Sequence, residues 1–473
     1  MTAPARTTTR RGYLAVTLTA SGGTFLAMLD STVTNLAVPN LQDDFPTATV
    51  ADLSWVISAY VVMFAALLAA AGRLADVLGR RRLFLLGMGL FTVSSLLCAV
   101  APSLAVLVIV RFLQGAGAAV MIPASLAVLL LDGPADRRAA SLGIWSATSA
   151  FAAAVGPTVG GVLVEAFGWR SVFIINVPVG ILLLVAAARL LDAEPGKIRG
   201  RVPDPLGTLM LVLGIGLLTL GLTEAGTWGW LTVKTIGCFV VGLVAIVLVI
   251  VRSRRHVLPV LEISLWSNHT FGAANAVSFL YGLAQYPWLL VSVLYLTDIW
   301  RYDELQAGLA MTPGAIVASV AALGLGRLAP RMGGPRTATL VGFVAFAACG
   351  VWFLLALPEQ PAFLALWLPA SALVGLGMGA ATVGTTSAAA MSSPPTKFAS
   401  SSGLNTTARQ FGGALGIAVL ALILQLGTRP DGSRGYDAYL QVFGFSTGIA
   451  LLALITAAIW LRFAAPAPAP KEA

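Results

Sequence analysis

Gly72-Arg-Leu-Ala-Asp-Val-Leu-Gly-Arg-Arg-Arg82 has a second copy further along the chain, Gly326-Arg-Leu-Ala-Pro-Arg-Met-Gly-Gly-Pro-Arg336. Six of the eleven positions are identical in the two copies. Each copy is a short basic segment that directly follows a long apolar run. This pattern predicts that the chain is built from two repeats of helices, in which each copy follows the second helix of its repeat.

The composition of the chain is that of an integral membrane protein. Of its 473 residues, 58% are hydrophobic and only 10% are charged, and the mean hydropathy is +0.89. A soluble domain carries about 25% charged residues, so a soluble fold is excluded. Fourteen apolar runs approach the length of a spanning helix, roughly 20 residues. They lie near 13–38, 52–72, 83–101, 103–131, 139–164, 171–191, 205–223, 231–251, 271–296, 306–326, 337–357, 362–390, 400–426 and 440–462.

The placement of lysine and arginine tests this number of spans. With a cytoplasmic N-terminus and fourteen alternating spans, 22 of the 29 basic residues fall on the cytoplasmic side and 5 on the outer side, while Arg111 and Arg409 lie within spans. Cytoplasmic loops of membrane proteins are enriched in these residues. We therefore predict an all-α protein with fourteen transmembrane helices and both termini in the cytoplasm. The net charge of +9 follows from this topology and requires no nucleic-acid partner.

The repeat divides the chain into two bundles of six helices, with two inserted helices between them. In transporters built from parallel six-helix repeats, the binding site lies near the middle of the bilayer, between the repeats. The predicted parts are a cytoplasmic tail at 1–12, a first bundle at 13–191, the inserted helices with their linkers at 192–266, a second bundle at 267–463 and an Ala/Pro-rich cytoplasmic tail at 464–473.

One carboxylate lies deep in an apolar run. At 1.5 Å per residue, Asp30 is roughly 15 Å from the outer end of the first span, and Arg111 is roughly 12 Å from the outer end of the fourth. A charge at this depth is costly and is a functional hypothesis by default, and pairing would reduce the cost. Asp30 is either a proton site with Arg111 as its partner or a permanently ionised structural group, and we favour the proton site.

Other residues are candidates for the wall of a substrate cavity. Thr34 shares the helix face of Asp30, and Gln114 lies one turn from Arg111, where it either lines the cavity or is a buried hydrogen-bonding residue. One face of the ninth span carries three polar or aromatic residues, Tyr281, Gln285 and Trp288. Such a face suits contact with a drug, but it equally suits packing in a core.

Several chemistries are absent from the sequence. No GxxxxGK[ST] motif occurs, so no ATP-binding loop of that type is present. The two histidines, His256 and His269, are far apart, and the three cysteines lie singly in apolar runs, so neither residue type has the spacing of metal ligands. We therefore predict no cofactor and no metal site.

Four motifs resemble those of the major facilitator superfamily, and specifically of its fourteen-span drug:proton antiporters. The resemblance covers nearly the whole chain. The loop motif by itself implies only the superfamily, whereas the fifth-helix motif and the two additional spans imply export. The matching residues are Gly72-Arg73-x-x-Asp76-x-x-Gly79-Arg80-Arg81-Arg82 in the loop, Leu29-Asp30-x-Thr32-x-x-Asn35-x-Ala37-x-Pro39 in the first helix, Arg111-Phe-Leu-Gln114-Gly115-x-Gly117 in the fourth and Gly156-Pro157-x-x-Gly160-Gly161 in the fifth.

The resemblance also implies roles for these residues. Asp30 and Arg111 would serve proton coupling. The fifth-helix motif would form a kinked, closely packed gate on the outward side, where generic helix packing is the alternative; its residues are Gly156, Pro157, Gly160 and Gly161. The loop motif would act as a latch between the halves, where anchoring by positive charge is the alternative; its residues are Gly72, Arg73, Asp76, Gly79 and Arg80. In the second copy Pro330 replaces the acid, so we expect the latch on the first copy only.

These observations predict a proton-coupled antiporter that exports small lipophilic compounds, such as drugs, antibiotics or an endogenous metabolite, across the bacterial inner membrane by alternating access. The expected partners are the substrate, protons and membrane lipids, and a monomer is expected to suffice. Neutral or monocationic substrates are favoured over dications, because only one acid lies deep in the membrane. The alternatives are an importer or facilitator of a small metabolite and, from another class, a polytopic membrane enzyme or sensor, for which the sequence has no catalytic constellation.

Overall fold

The computed structural model describes residues 10–131, 137–191, 203–427 and 435–462, and this part of the chain is helical, with no strand. The predicted tails lie largely outside the described residues, and so does the segment 192–202 that follows the first bundle. The domain boundaries therefore stay predictions. The helices are α1 Arg10–Asp44, α2 Val50–Leu78, α3 Arg80–Ala99, α4 Leu104–Leu131, α5 Arg138–Phe167, α6 Ser171–Ile174, α7 Asn176–Leu190, α8 Pro205–Trp228, α9 Val233–Ser253, α10 His269–Asp298, α11 Glu304–Leu328, α12 Pro335–Ala356, α13 Leu368–Met391, α14 Phe398–Leu426 and α15 Tyr436–Trp460.

The predicted number of spans is confirmed. Thirteen helical segments of the described chain are long and apolar enough to cross a membrane, and α5 supplies the fourteenth as one bent span. The bend is 44° and separates Arg138–Ala153 from Thr158–Phe167. The sixth span is itself interrupted, because α6 and α7 meet at Ile175. The side of the membrane on which the termini lie stays a prediction.

The two bundles repeat the same helix contacts. In the first bundle, a Cβ on Gly87 would lie 2.9 Å from the carbonyl oxygen of Gly117, where α3 crosses α4. In the second bundle, a Cβ on Gly342 would lie 2.9 Å from the carbonyl oxygen of Gly377, where α12 crosses α13. Small residues let membrane helices approach to backbone contact. The internal repeat seen in the loop motif therefore extends to the packing of the helices that follow each copy.

The repeated loop owes part of its sequence to a backbone requirement. Gly79 joins the end of α2 directly to the start of α3 with φ of 103°, and Gly333 has φ of 99° at the corresponding turn before α12. Residues with a side chain rarely adopt positive φ, whereas glycine does so without steric cost. Both copies therefore need glycine at this position for the backbone turn, independently of the role of the charged residues around it.

The two bundles touch at the end that carries the loop motif and its copy, here called the basic end and defined by residues 72–82 and 326–336. A Cβ on Gly72 of α2 would lie 2.3 Å from the carbonyl oxygen of Ala399 on α14. A Cβ on Gly143 of α5 would lie 2.8 Å from the Cα of Gly326 on α11. Both contacts are between backbones, so the basic end is closed along two seams, α2–α14 and α5–α11.

The inserted helices pack against one of these seams. Leu211 and Ile215 of α8 form an apolar cluster with Ala65 and Ala69 of α2, and Leu404 of α14 packs against the same cluster. α9 packs on α8, and the pair is tied together because Arg252 of α9 donates to the buried carboxylate of Asp204. α8 therefore contacts both bundles, whereas nothing comparable among the described helices covers the α5–α11 seam.

The contact at Gly143 gives a test of how the basic end closes. We expect Gly143→Val to separate α5 from α11, because the added atoms meet backbone that has no side chain to rotate away. Distances between spin labels at the exposed positions 82 and 331, one in each bundle, should shift toward longer values.

The matched control is Gly89→Val on α3, where a Cβ would meet nothing within 4 Å. This variant makes the same change in a helix interior and should leave the label distances as they are in the parent protein. Identical distance distributions in the Gly143→Val and parent proteins would contradict the proposed backbone seal.

Candidate functional site

Asp30 and Arg111 form an ion pair inside the first bundle. Nη1 of Arg111 lies 2.6 Å from Oδ2 of Asp30, and each residue is only 1% exposed. α1 and α4 thus bring the two charges to the same depth, as the count along the helices predicted. A pair buried in this way reduces the large cost that either charge alone would bear in a low-dielectric interior.

Two threonines near this carboxylate bond to the backbone of their own helix. The hydroxyl of Thr32 bonds to the carbonyl groups of Met28 and Leu29, and the hydroxyl of Thr34 bonds to the carbonyl of Asp30 at 2.7 Å. Hydroxyl groups that bond to the preceding turn tend to bend a helix. Thr34 is buried and uses its hydroxyl within its own helix, so in this conformation it does not line a cavity.

The second carboxylate oxygen of Asp30 accepts two further hydrogen bonds. Nε2 of Gln114 and Nδ2 of Asn176 each lie 2.8 Å from Oδ1 of Asp30. The same two amides donate to Oγ of Ser95, at 2.7 and 3.3 Å. Gln114 therefore belongs to the carboxylate network, as one of its two interpretations had it.

Asn176 and Ser95 are members that the sequence analysis missed. Asn176 is the first residue of α7, and the interruption after Ile174 orients it toward α1. The signal available in the sequence was one amide within the apolar run of the sixth span. Nothing in that run indicates which neighbouring helix the amide would meet.

Arg111 donates hydrogen bonds to residues of α1, α2 and its own helix, α4. Its Nε donates to the carbonyl of Val56 at 2.8 Å, and Nη1 also donates to Oε1 of Gln114 at 2.7 Å. The ring of Tyr60 lies 4.4 Å from the guanidinium carbon, a cation–π distance. The arginine thus ties α4 to α1 and α2, and the site is a buried cluster in this conformation.

The fifth-helix motif touches α1 beside this cluster. A Cβ on Gly156 would lie 1.9 Å from the hydroxyl of Thr32, two residues from Asp30. The bend of α5 falls at this point. Gly160 is buried, whereas a Cβ on Gly161 would meet nothing within 4 Å. The side chains of Pro157 and of Asn35 lie outside what the structure describes.

The candidate face of the ninth span is mostly core in this structure. Trp288 is 2% exposed and packs its ring against Phe346, Phe353 and Phe443. Tyr281 is buried and donates to the carbonyl of Met378 at 2.9 Å. Gln285 is partly exposed. Core packing therefore describes Trp288 better than drug contact does.

The loop acid Asp76 joins the two bundles at the basic end. Its carboxylate accepts hydrogen bonds from the backbone N–H groups of Ala399 and Ser400, at 3.1 and 2.8 Å, and from the hydroxyl of Ser400. These groups lie in the first turn of α14, where free N–H groups and the helix dipole favour a negative charge. Arg80 is the first residue of α3, four residues after Asp76.

Arg73 reaches a second acid that the sequence analysis did not single out. Its Nη1 lies 2.9 Å from Oε2 of Glu262, in the segment before α10, and Nζ of Lys397 lies 2.7 Å from Oε1 of the same carboxylate. Glu262 thereby links the end of α2 to the segment that begins α14. Burial alone would raise the pKa of Glu262, but the bonds from Lys397 and Ser264 and the charge of Arg73 outweigh burial and hold that pKa below its usual range.

No group of three or more His, Cys, Asp or Glu side chains that could hold a metal ion occurs among the described residues. The described site consists instead of a buried carboxylate with hydrogen-bond partners on two other helices, α4 and α7.

Comparison with known proteins identifies relatives over most of the chain. The family model described as Major Facilitator Superfamily matches residues 20–417 and 274–473. The Cephamycin export protein CmcT of Amycolatopsis lactamdurans is 36% identical over 411 residues, which is 85% of this chain and 83% of that protein. The Methylenomycin A resistance protein of Streptomyces coelicolor is 33% identical over 406 residues, 85% of this chain and 84% of that protein.

A solved structure shares the fold. The crystal structure of the human organic anion transporter MFSD10 (TETRAN) superimposes with a TM-score of 0.66 and covers 94% of this chain and 99% of that one. Its sequence is 14% identical, so this likeness concerns the fold alone.

Adjacent serines on α3 test the carboxylate network. Ser95→Ala removes the acceptor shared by Gln114 and Asn176, and we expect it to lower the free energy of unfolding by about 1–2 kcal/mol. Ser94→Ala should be close to neutral, because Oγ of Ser94 is buried without a hydrogen-bond partner in the described chain. Thermal unfolding in nanodiscs measures both variants, and equal losses would contradict the network.

Glu262 gives a dependence on pH. Its pKa is lowered in the folded protein, so its contribution to stability is present above the ordinary value of 4.5 and is lost as the pH falls through the lower folded value. We expect Glu262→Gln to unfold at a lower temperature than the parent protein at pH 7, and the difference should shrink below pH 4.5 and disappear once the pH is below the lowered folded pKa.

The control for this series is Glu165→Gln, which removes an exposed carboxylate near the C-terminal end of α5. It should leave the unfolding temperature unchanged at both pH values. A difference between the Glu262→Gln and parent proteins that persists at low pH would show that the glutamine acts through some effect other than lost charge.

Proposed function

This chain belongs to the Major Facilitator Superfamily, and on that premise we propose that it is a secondary active transporter that exports small lipophilic compounds in exchange for protons. Membership in the family makes it a transporter rather than an enzyme, and its spans and bacterial relatives make it a multi-pass protein of the bacterial plasma membrane. The proton gradient would drive transport, and protons and lipids would be its partners beside the substrate. A monomer contains both bundles and would suffice.

Export of antibiotic-like compounds is supported by the relatives. One is named for the export of cephamycin and the other for resistance to methylenomycin A, and this chain spans more than four fifths of each. The first name describes export of a small compound, and the second describes resistance to one. These matches favour export over import of a metabolite.

The observation that supports proton coupling is the buried position and hydrogen bonding of Asp30. It is the carboxylate deepest in the first bundle, and its oxygens accept three hydrogen bonds, from Arg111, Gln114 and Asn176. Protonation would turn one oxygen into a donor. Oδ1 of Asn176 is buried and accepts no hydrogen bond from a described residue, so an acceptor for that donor lies beside it. The cluster thus has partners for both protonation states of the acid.

Coupling requires that the proton and the substrate favour different conformations. In the conformation described, the basic end is closed and Asp30 is sealed from water. Because Gly156 of α5 is in contact with Thr32 of α1, a movement of α5 would be transmitted to the turn that holds Asp30. We infer that opening and closing of the bundles changes access to Asp30 through this contact, while Asp76 and Glu262 stabilise the closed basic end.

Replacement of Asp30 tests this proposal. In proteoliposomes with an imposed pH gradient, we expect Asp30→Asn to abolish gradient-driven movement of lipophilic substrates, because asparagine cannot exchange a proton, while the protein still inserts in the membrane. The measurement is the initial rate of substrate movement with and without the gradient.

The matched control is Asp44→Asn, at the far end of the same helix, where the carboxylate is 41% exposed and pairs with Arg170. A surface pair of this kind contributes little, so the control should keep the parent rate. Undiminished gradient-driven transport by Asp30→Asn would exclude Asp30 as the proton site.

A further inference from the structure

Arg409 is a cation within the membrane-spanning part of the second bundle. It lies about 16 Å along α14 from Phe398 at 1.5 Å per residue, near the middle of a hydrocarbon layer about 30 Å thick. α14 packs closely on α10 here, since a Cβ on Gly282 would lie 1.9 Å from the carbonyl oxygen of Arg409. This depth is too great for a side chain whose task is only to anchor a helix end.

The guanidinium of Arg409 has no counter-ion in the described chain. Its Nε is buried and donates no hydrogen bond, and no described carboxylate pairs with it. Arginine stays protonated in proteins, so a positive charge without a described counter-ion remains at this partly exposed position. Arg111, the other arginine at membrane depth, is by contrast neutralised by Asp30 at 2.6 Å.

The side chains around Arg409 add donors and no negative charge. The hydroxyl of Tyr286 donates to Oε1 of Gln410, which leaves the amide Nε2 of Gln410 without an acceptor among the described residues. The ring of Tyr286 lies against α14 at Gly413, one turn from Arg409. The hydroxyl of Tyr281 is already occupied by Met378 and Thr382.

The helix that carries Arg409 also packs on the first bundle. A Cβ on Gly403 of α14 would lie 2.5 Å from the carbonyl oxygen of Leu68 on α2. The acidic side chain of α8, Glu224, is engaged elsewhere, because it is hydrogen-bonded to Ser58 of α2. The first bundle therefore holds a buried, neutralised ion pair, whereas the second bundle holds a cation without a described counter-ion.

We propose that the second bundle holds a binding site for the acidic group of the exported compound, with Arg409 as the charge partner and Gln410 as a second donor. The ligand class is a lipophilic anion, such as a carboxylate or an enolate on an apolar body. An anion matches the positive charge of Arg409 and the unused donor of Gln410, and the partly exposed ring of Tyr286 suits its apolar body. The inference rests on the proposed export function for the identity of the ligand as a substrate, and it replaces the expectation of neutral or cationic substrates.

Equilibrium binding to the purified full-length protein in nanodiscs tests the site. The probes are 1-pyrenebutyrate and its methyl ester, which share an apolar body and differ in the negative charge, and protein-free nanodiscs correct for partition into lipid. The parent protein should bind the carboxylate at least 10-fold more tightly than the ester. Arg409→Gln should lose that preference, whereas Arg409→Lys should keep most of it.

Arg331→Gln, which removes an exposed charge at the basic end, is the matched control and should bind both probes as the parent protein does. Unfolding temperatures verify that each variant is folded. Equal affinity of the parent protein for the two probes, or an unchanged preference in Arg409→Gln, would overturn the proposal.

Transport assays separate this inference from the proposed function. Gradient-driven movement of the ester by both the parent and the Arg409→Gln proteins, without carboxylate preference, would support the export function and overturn the anion site. Carboxylate binding that depends on Arg409 without gradient-driven movement of either probe would support the site and contradict the export function.

Discussion

The structure depends on the electrostatic cost of placing a charge in a low-dielectric interior. Asp30 is tolerated only because Arg111, Gln114 and Asn176 surround it, and these residues come from helices that are far apart in sequence. The requirement to satisfy one carboxylate therefore fixes how α1, α4 and α7 meet. It also makes the first bundle a unit that must move as a whole or expose the acid when it rearranges.

The contacts between the bundles are of a different kind. At the basic end, glycines bring α2 against α14 and α5 against α11 through backbone atoms, and a small number of polar contacts from Asp76 and Glu262 are added to them. Backbone contacts can separate without repacking interlocked side chains. The contrast between a tightly bonded first bundle and a lightly bonded junction suits rigid-body motion of one bundle against the other.

The sequence predicted some of these features and not others, for physical reasons. The number of spans followed from apolar runs and the placement of basic residues, and the pairing of Asp30 with Arg111 followed from helical rise, since few charges lie in apolar runs. Asn176 was missed because the sequence around an uncharged amide in an apolar run does not indicate which residue the amide contacts. The helix face shared by Trp288 and its neighbours does not distinguish a residue that lines a cavity from one that packs in a core. The contacts of Glu262 depend on the path of the segment before α10, which the sequence does not indicate.

The inserted pair α8 and α9 has a consequence for how molecules dissolved in the lipid reach the space between the bundles. The bundles meet at two seams. Because α8 lies against both α2 and α14, it screens one of these seams from the bilayer. The seam between α5 and α11 has no such cover among the described helices. Lateral access from the lipid would therefore be one-sided, and an apolar compound partitioned into the membrane would enter past the bent helix α5.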